Sequence, residues 1–410
     1  MEYGCLKDYF DAIGYKRIKP VEICAELSNE HEFNGVNDFR KLFGDNKQSL
    51  SAKVIYLCDS EDEFMEEKTN FTWYNARENN PKRDEFRLYY STSKCIQDKA
   101  SVGDLFIVCK NKTNEQQDIT VFIVKTGDLI EQQIAWLFGL QVKKLSEKGK
   151  IEEFSDQELN YFKKSILEKI GIPIQSKDND DLLEKILARF PDGFPSTIEF
   201  SEFARSIDPS VSCHDDADKA LVLWMGYEEQ AFRLLEKHLL QERLKNGFDD
   251  VDDFITFSLS IHNRRKSRAG YALEHHLKHI FDSLNICYSY NKITENTSRP
   301  DFIFPDIQRY RNAPKYSTGL TMLGVKTTCK DRWRQVLSEA DKITNKHLFT
   351  LEPGISVAQT EEMKKSKLKL VVPSQIFDSY TSQQRAWLWD LKRFISLVKK
   401  REKHIKIATI

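Results

Sequence analysis

Gly324-Val-Lys-Thr-Thr-Cys-Lys-Asp-Arg-Trp-Arg-Gln-Val-Leu-Ser-Glu339 opens as a strand and closes as a helix, and its reading decides the fold of the second half of the chain. Upstream lies Arg299-Pro300-Asp301-Phe-Ile-Phe-Pro305, which sets a carboxylate at the head of a short apolar run, one hairpin's length before Lys326. Asp301, Lys326 and Glu339 thus form a set of acid, lysine and acid. Hard divalent cations such as Mg²⁺ bind carboxylate, water and phosphate oxygens, so two acids on adjacent elements can fix one cation against a scissile phosphate. A neighbouring lysine can stabilise the developing charge, or orient and help deprotonate the attacking water. The chemistry to which these residue types point is metal-assisted phosphodiester hydrolysis.

The position of Glu339 carries much of this reading. On a helix with Val336, Ala340 and Ile343 turned inward, Glu339 falls beside the inward stripe. A carboxylate there is costly unless something pairs with it. A purely structural salt bridge between Lys326 and Glu339 is the competing explanation. The common nuclease signature is a Pro-Asp followed by an acid two residues before the lysine, but here Gly324 stands in that place and can bind nothing. Glu339, thirteen positions after Lys326, would have to bring the missing carboxylate in from the helix.

Working outward, strands are expected at 286–290, 301–304, 322–326, 347–350 and 368–372, alternating with helices, which makes an α/β sandwich. A helical period runs over 217–244, and a C-terminal helix is expected from Gln383 to Lys403. Between them a helix over 251–261 should end in a basic turn, Asn263-Arg-Arg-Lys-Ser-Arg-Ala-Gly270, that opens the next helix. Arg264, Arg265, Lys266 and Arg268 at such an N-terminus could hold phosphates together with free backbone N–H groups, although a solvated basic turn is the plainer alternative. The following helix places Leu273, Leu277, Ile280 and Phe281 on its apolar stripe, with Glu274 at the border.

The first half is β-rich, with strand-like runs at 52–57, 86–90, 105–108 and 119–124 and a short amphipathic helix over 128–137, which suits a small mixed sheet or barrel. Trp73-Tyr-Asn-Ala-Arg77, Asn79-Asn-Pro-Lys-Arg83 and Arg87 make a basic and aromatic segment with turn residues. It reads equally as a solvated loop or as a loop whose arginines and lysines touch DNA phosphates or base edges. Residues 143–192 turn strongly charged, and Phe190-Pro-Asp-Gly-Phe-Pro195 marks entry to the second domain. The expected division is 1–172, a linker at 173–195, and 196–410.

The 410 residues are too many for one ordinary core. The 62 Lys and Arg against 63 Asp and Glu leave no global basic excess, so any nucleic-acid partner must be held by local patches. Eight cysteines without a CxxC pair suit reduced packing residues of an intracellular protein. No signal pattern or membrane-length apolar run is present, so a soluble, cytoplasmic protein without a membrane partner is expected. His275, His276 and His279 have helical ligand spacing but no HExxH order, which favours core or solvated histidines over zinc. Tyr310 near Asp301 is a remote candidate nucleophile, and no Gly-rich loop supports a nucleotide cofactor.

Asn263–Gly270, Pro300-Asp-Phe-Ile-Phe-Pro305, Val325–Gln335, Glu339-Ala-Asp-Lys-Ile343 and His347-Leu-Phe-Thr350 together resemble the catalytic half of EcoRII-type restriction endonucleases. The resemblance implies Mg²⁺-dependent double-strand cleavage of unmethylated DNA at a short site in which CC and GG flank a central base, CCWGG- or CCNGG-like. It implies an active site with a migrated glutamate, reproduced by Asp301, Lys326 and Glu339, and a further acid, Glu274, on the preceding helix. Lys330, Asp331 and Arg332, with Arg334 beside them, match the segment that reads the CC and GG bases, and Arg or Lys does suit guanine while an acid can accept from cytosine.

In the first half Tyr74, Asn75, Arg77, Lys82, Arg83 and Arg87, with Gly127-Asp-Leu-Ile-Glu131, resemble that family's pseudobarrel effector domain, which binds a second copy of the site and restrains the nuclease. The chain departs from the family at Trp224-Met-Gly-Tyr-Glu-Glu229, where an arginine-rich segment shapes the pocket for the central base. The expected protein is a site-specific endonuclease acting on double-stranded DNA, a homodimer because symmetric cutting favours two active sites. A DNA-binding regulator with an inactive nuclease-like domain and a structure-selective nuclease of the junction-resolvase kind are its rivals.

Overall fold

The computed structural model describes residues 4–24, 31–60, 65–79, 83–112, 116–140, 148–152, 154, 159–174, 179–315, 317–329 and 333–408. Contacts divide the chain into two compact units, Met1–Gln175 and Ser176–Ile410.

The first unit is built on an eight-stranded mixed sheet. Its strands are β1 (Phe10–Arg17), β2 (Glu32–Phe33), β3 (Gln48–Leu57), β4 (Met65–Asn75), β5 (Phe86–Tyr90), β6 (Leu105–Asn111), β7 (Ile119–Val124) and β8 (Lys150–Glu152), in the order β2-β5-β4-β3-β7-β6-β1-β8. Only β3 and β7 pair in parallel; the other neighbours are antiparallel. Gly149 N–H donates to Gly35 O at 2.9 Å, so the backbone beside one edge strand reaches the backbone beside the other and the sheet curls nearly shut, a pseudobarrel.

Phe33, Phe39, Phe71, Trp73, Phe86 and Phe106 fill one side of the sheet. A Cβ at Gly14 or Gly149 would lie within 2.9 Å of the Phe39 ring, so both positions need glycine for the ring to lie flat on the chain. On the other side Ile13, Ile107 and Phe122 pack under helices α3 (Leu129–Phe138) and α4 (Tyr161–Lys169). Two further helices, α1 (Pro20–Ile23) and α2 (Arg40–Phe43), are single turns. All six residues of β7 are buried because the strand is covered on both faces. β1 and β4 were not among the expected strands. The 73–77 segment, expected to be a loop, is instead the end of β4 and the turn after it.

The second unit joins a helical layer to a five-stranded sheet. Helices α5 (Asp180–Arg189), α6 (Thr197–Ser206), α7 (Ala217–Asn246) and α8 (Val251–Ser283) come first. Leu182, Ile186, Phe190, Phe200, Phe232 and Leu235 form the shared core of α5, α6 and α7, so α5, which falls within the expected linker at 173–195, is a packed helix. Gly247, at φ 77°, ends α7, and the Asp250 side chain caps α8 by accepting from Asp253 N–H. The basic turn expected at 263–270 is absent: α8 runs unbroken through it. Arg and Lys are good helix formers, and acids on α7 neutralise two of the four charges, so nothing stops the helix there.

The sheet order is β13-β12-β11-β10-β9, from β9 (Ser289–Tyr290), β10 (Phe302–Phe304), β11 (Thr321–Lys326), β12 (Lys346–Thr350) and β13 (Leu368–Val371). β11, β12 and β13 are parallel, and β10 runs against β11. The remaining helices are α9 (Ile307–Asn312), α10 (Trp333–Leu337), α11 (Val357–Lys365), α12 (Ser382–Arg385) and α13 (Leu391–Ala408). On one sheet face Phe281 of α8 meets the Phe302 and Phe304 rings, and Phe394 of α13 meets Phe304 and His347. On the other face α10 lies over Gly324. This is the expected α/β sandwich, with the C-terminal helix broken at 386–390, where Trp389 forms a bridge to Val371.

Candidate active site

Asp301 directly precedes β10 and Lys326 ends the antiparallel neighbour β11, so the pairing of these two strands brings both side chains to one end of the sheet. Asp301 Oδ2 accepts from Val325 N–H at 2.6 Å and from Lys326 Nζ at 3.2 Å. Glu339 arrives from another direction. α10 stops at Leu337, and Glu339 lies in the turn beyond it, followed by Ala340 at φ 51°. The expected helical placement of Glu339 is therefore corrected, although Val336, Ala340 and Ile343 are buried as expected. Lys346 at the start of β12 holds this turn, its Nζ donating to Leu337 O at 2.6 Å and to Glu339 O. Sequence reading missed Lys346; its signal was a lysine opening an apolar strand.

Among the described residues no hydrogen-bond donor reaches the buried Oε2 of Glu339. Burial, and after it the Asp301 charge, push the Glu339 carboxyl up to about 7, while Lys326 and Lys346 pull the other way. The simple Lys326–Glu339 salt bridge is not formed: Lys326 pairs with Asp301. Glu274 on α8 feels the same charges. Burial and Asp301 raise its carboxyl, and the hydroxyl of Tyr290, which donates to Glu274 Oε2, opposes the rise. Asp301, Lys326, Glu339 and Glu274 are thus one electrostatic cluster.

Among the described residues no group of three or more His, Cys, Asp or Glu side chains is gathered to hold a metal ion. A Mg²⁺-like cation asks for less, one or two carboxylates completed by waters and substrate phosphate. An unpartnered, half-desolvated carboxylate oxygen beside a second carboxylate fits such a cation in charge and in donor type.

The candidate DNA-contacting residues divide into ion-paired and exposed side chains. Arg265 makes a forked pair with Glu236 of α7, with Nε at 2.9 and 3.1 Å from the two oxygens. Arg268 is buried, paired with Glu229 and stacked 4.4 Å over the Phe232 ring. These two brace α8 against α7. Arg264 and Lys266 are exposed, with Arg264 resting 4.3 Å over Phe194. The expectation of four cations at a helix N-terminus is corrected to two exposed cations in mid-helix. Arg334 pairs with Glu362 at 3.0 Å. Lys330, Asp331 and Arg332, like Lys82, lie outside the described residues; Cys329, just before them, donates its backbone N–H to the buried Glu352.

In the first unit Arg77 and Arg87 both pair with Glu85, and Arg87 also with Glu32 at 2.6 Å. The Tyr74 hydroxyl donates to Glu32, Asn75 Nδ2 donates to Asp84 at 2.9 Å, and Arg83 is exposed. The three histidines of α8 take separate partners: His275 meets Thr197, His276 sits 3.0 Å from the buried Glu228, and His279 meets Ser283. The Tyr310 hydroxyl is held by Glu295 and pushed up in pKa by burial, unlike a nucleophile.

An acid, a lysine and a second acid gathered at one end of an α/β sheet are the residue types that phosphodiester hydrolysis with a metal asks for. Residues 232–395, all within the second unit, match the family described as EcoRII C terminal. The chain is 43% identical over 204 residues to the type II restriction enzyme EcoRII of Escherichia coli, a match that spans 50% of each chain and thus half of that relative's length. The EcoRII-type resemblance read from the sequence holds for this half. Solved structures with some likeness are metal-depleted Ecl18kI in complex with uncleaved, modified DNA, at TM-score 0.44 and 15% identity over 56% of this chain and 86% of that one. The restriction endonuclease PspGI with substrate DNA reaches TM-score 0.38 and 14% identity over 54% and 93%.

Proposed function

We propose that the chain is a type II, site-specific DNA endonuclease that makes double-strand cuts in unmethylated DNA at a short CC/GG-flanked site, with Mg²⁺ as its cofactor. The observation that carries the reading is the cluster itself: Asp301 held by Lys326, and beside it a Glu339 carboxylate oxygen that no donor among the described residues satisfies. Asp301 and Glu339 would hold the cation, which supplies Lewis-acid stabilisation of the phosphate when bound. Lys326 orients the attacking water and stabilises the charge that grows on the phosphate. Glu274, held by Tyr290, adds negative potential to the cluster.

In this reading Lys330, Asp331 and Arg332 read the bases, with Arg334, Arg264 and Lys266 on phosphates. Two copies act together, one per strand. Residues 1–172 serve as an effector domain that binds a second copy of the site through the surface around Tyr74, Asn75, Arg77, Arg83 and Arg87. Residues 173–195 connect it to the catalytic residues 196–410.

Lys326→Ala tests the reading. Plasmid cutting with Mg²⁺ should disappear while binding to a duplex carrying the site survives; undiminished cutting would sink the proposal. Sequencing the ends left by the unmodified protein then reads out the site.

A further inference from the structure

Away from the active site the second unit has a cavity of about 360 Å³ lined by Lys364, Lys367, Lys369, Arg401, Trp387 and Trp389, among others. It opens where β12 and β13 begin, on the α13 face, because Lys369 is in register with His347, whose ring packs on Phe394. Lys326 ends β11, in register with Thr350 at the other end of β12. The cavity and the Asp301–Lys326 cluster therefore lie at opposite ends of one sheet.

The lining contains four cationic side chains and no carboxylate. Lys369 Nζ lies 4.9 Å from the Trp387 ring centre and 5.3 Å from that of Trp389, and donates to Trp387 O at 3.2 Å. Arg393 covers Trp389 at 4.7 Å, and Arg401 is anchored on Leu320 O and Thr321 Oγ1, both at 2.8 Å. Glu361 lies 3.9 Å from the exposed Lys364 on its own helix. Burial, then the charges of Arg393 and Lys364, push the Lys369 ammonium down to about 8. Packing like charges together around a partly desolvated lysine costs free energy that an arriving anion returns.

We propose that this cavity is a second nucleic-acid site, which takes one unpaired nucleotide with its phosphate on Lys364, Lys367 and Lys369 and its base against Trp387 and Trp389. Cations on phosphate and indole against base are the combination by which proteins hold unpaired strands. The volume lies at the small end of ligand sites, which run from about 300 to 1,000 Å³, so it admits a nucleotide-sized group and excludes a duplex. A free mononucleotide and a nucleotide within a single strand offer the same chemistry.

The test uses the full chain in cation-free buffer. Binding of a fluorescent, 5′-phosphorylated oligothymidylate is followed by anisotropy, with AMP and inorganic phosphate as competitors. Lys369→Met should weaken oligonucleotide binding at least tenfold. Competition by AMP at concentrations where phosphate fails identifies the free nucleotide as a sufficient ligand, whereas failure of AMP assigns the site to a strand. Phosphate competing as well as AMP overturns the base contact. Equal binding by unmodified and variant proteins, or no binding by either, overturns the site. The thermal transition reports folding, and Lys364→Glu on the exposed lysine replaces Lys369→Met if that variant does not fold. Lys326→Ala, which tests the endonuclease reading, leaves this experiment unaffected, so the two can fail separately.

Discussion

Val336 closes directly over Gly324: a Cβ at Gly324 would lie 2.9 Å from Val336 Cγ2 and 3.1 Å from Cγ1. The position that holds an acid in the common nuclease signature is therefore filled by a neighbouring side chain, and the helix that fills it delivers Glu339. Gly324→Ala should cost about 1–3 kcal/mol by overpacking, read from denaturant unfolding. Gly324→Glu combined with Glu339→Gln should not restore cutting, because the new side chain must displace α10. Recovered cutting by the double variant would show that the two carboxylates are interchangeable.

Glu339→Gln removes a buried charge that has no hydrogen-bond donor among the described residues. The cation-free variant should melt at or above the temperature of the unmodified protein. Mg²⁺ should raise the melting temperature of the unmodified protein and leave the variant almost unmoved, since ligand stabilisation requires the ligand to bind the folded state. Equal shifts in both proteins would remove Glu339 from the cation site.

Arg268 and Lys266 sit two residues apart yet should behave in opposite ways. Arg268→Ala leaves Glu229 with Arg233 alone, takes a guanidinium from beside the fully buried Glu228 and uncovers Phe232, so a loss on the order of 2 kcal/mol in stability is expected. Lys266→Ala should leave stability within about 0.5 kcal/mol. In the proposed function it lowers DNA affinity and reduces the slope of log affinity against log salt by about one. Unfolding curves and salt-dependent binding isotherms separate the two effects.

Asp218 makes stability depend on pH. Its carboxylate accepts from Leu391 N–H at 3.0 Å and Lys392 N–H at 3.2 Å, capping α13 from the start of α7. Burial, followed by the charge of Asp390, raises it to about 7. For an acid raised above its unfolded value, 3.8, the contribution is full below pH 3.8 and is lost as pH rises through 7. Asp218→Asn keeps an acceptor and loses the charge, so it should match or exceed the unmodified protein at pH 8 and flatten this part of the profile. Asp218→Ala, which loses the cap, should cost about 1 kcal/mol at low pH.

By itself the sequence determined elements whose signal is local. β5 and β7 coincide with their apolar runs, and α3, β11, β12 and β13 fall within a residue or two, because alternation and helical period are written in adjacent side chains. Asp301 and Lys326 were legible as partners for the same reason, a hairpin's spacing. Only the tertiary structure decided the rest. The Asn263–Gly270 run is helix because Glu229 and Glu236, 39 and 29 residues away, neutralise Arg268 and Arg265. The first sheet nearly closes because Gly149 reaches Gly35. Glu339 reaches Asp301 from a turn pinned by Lys346, and Lys369 meets two indoles from a segment that the sequence presented as continuous helix. In each case the deciding partner lies outside the segment itself, and its pairing and burial energies outweigh the local preference of the segment.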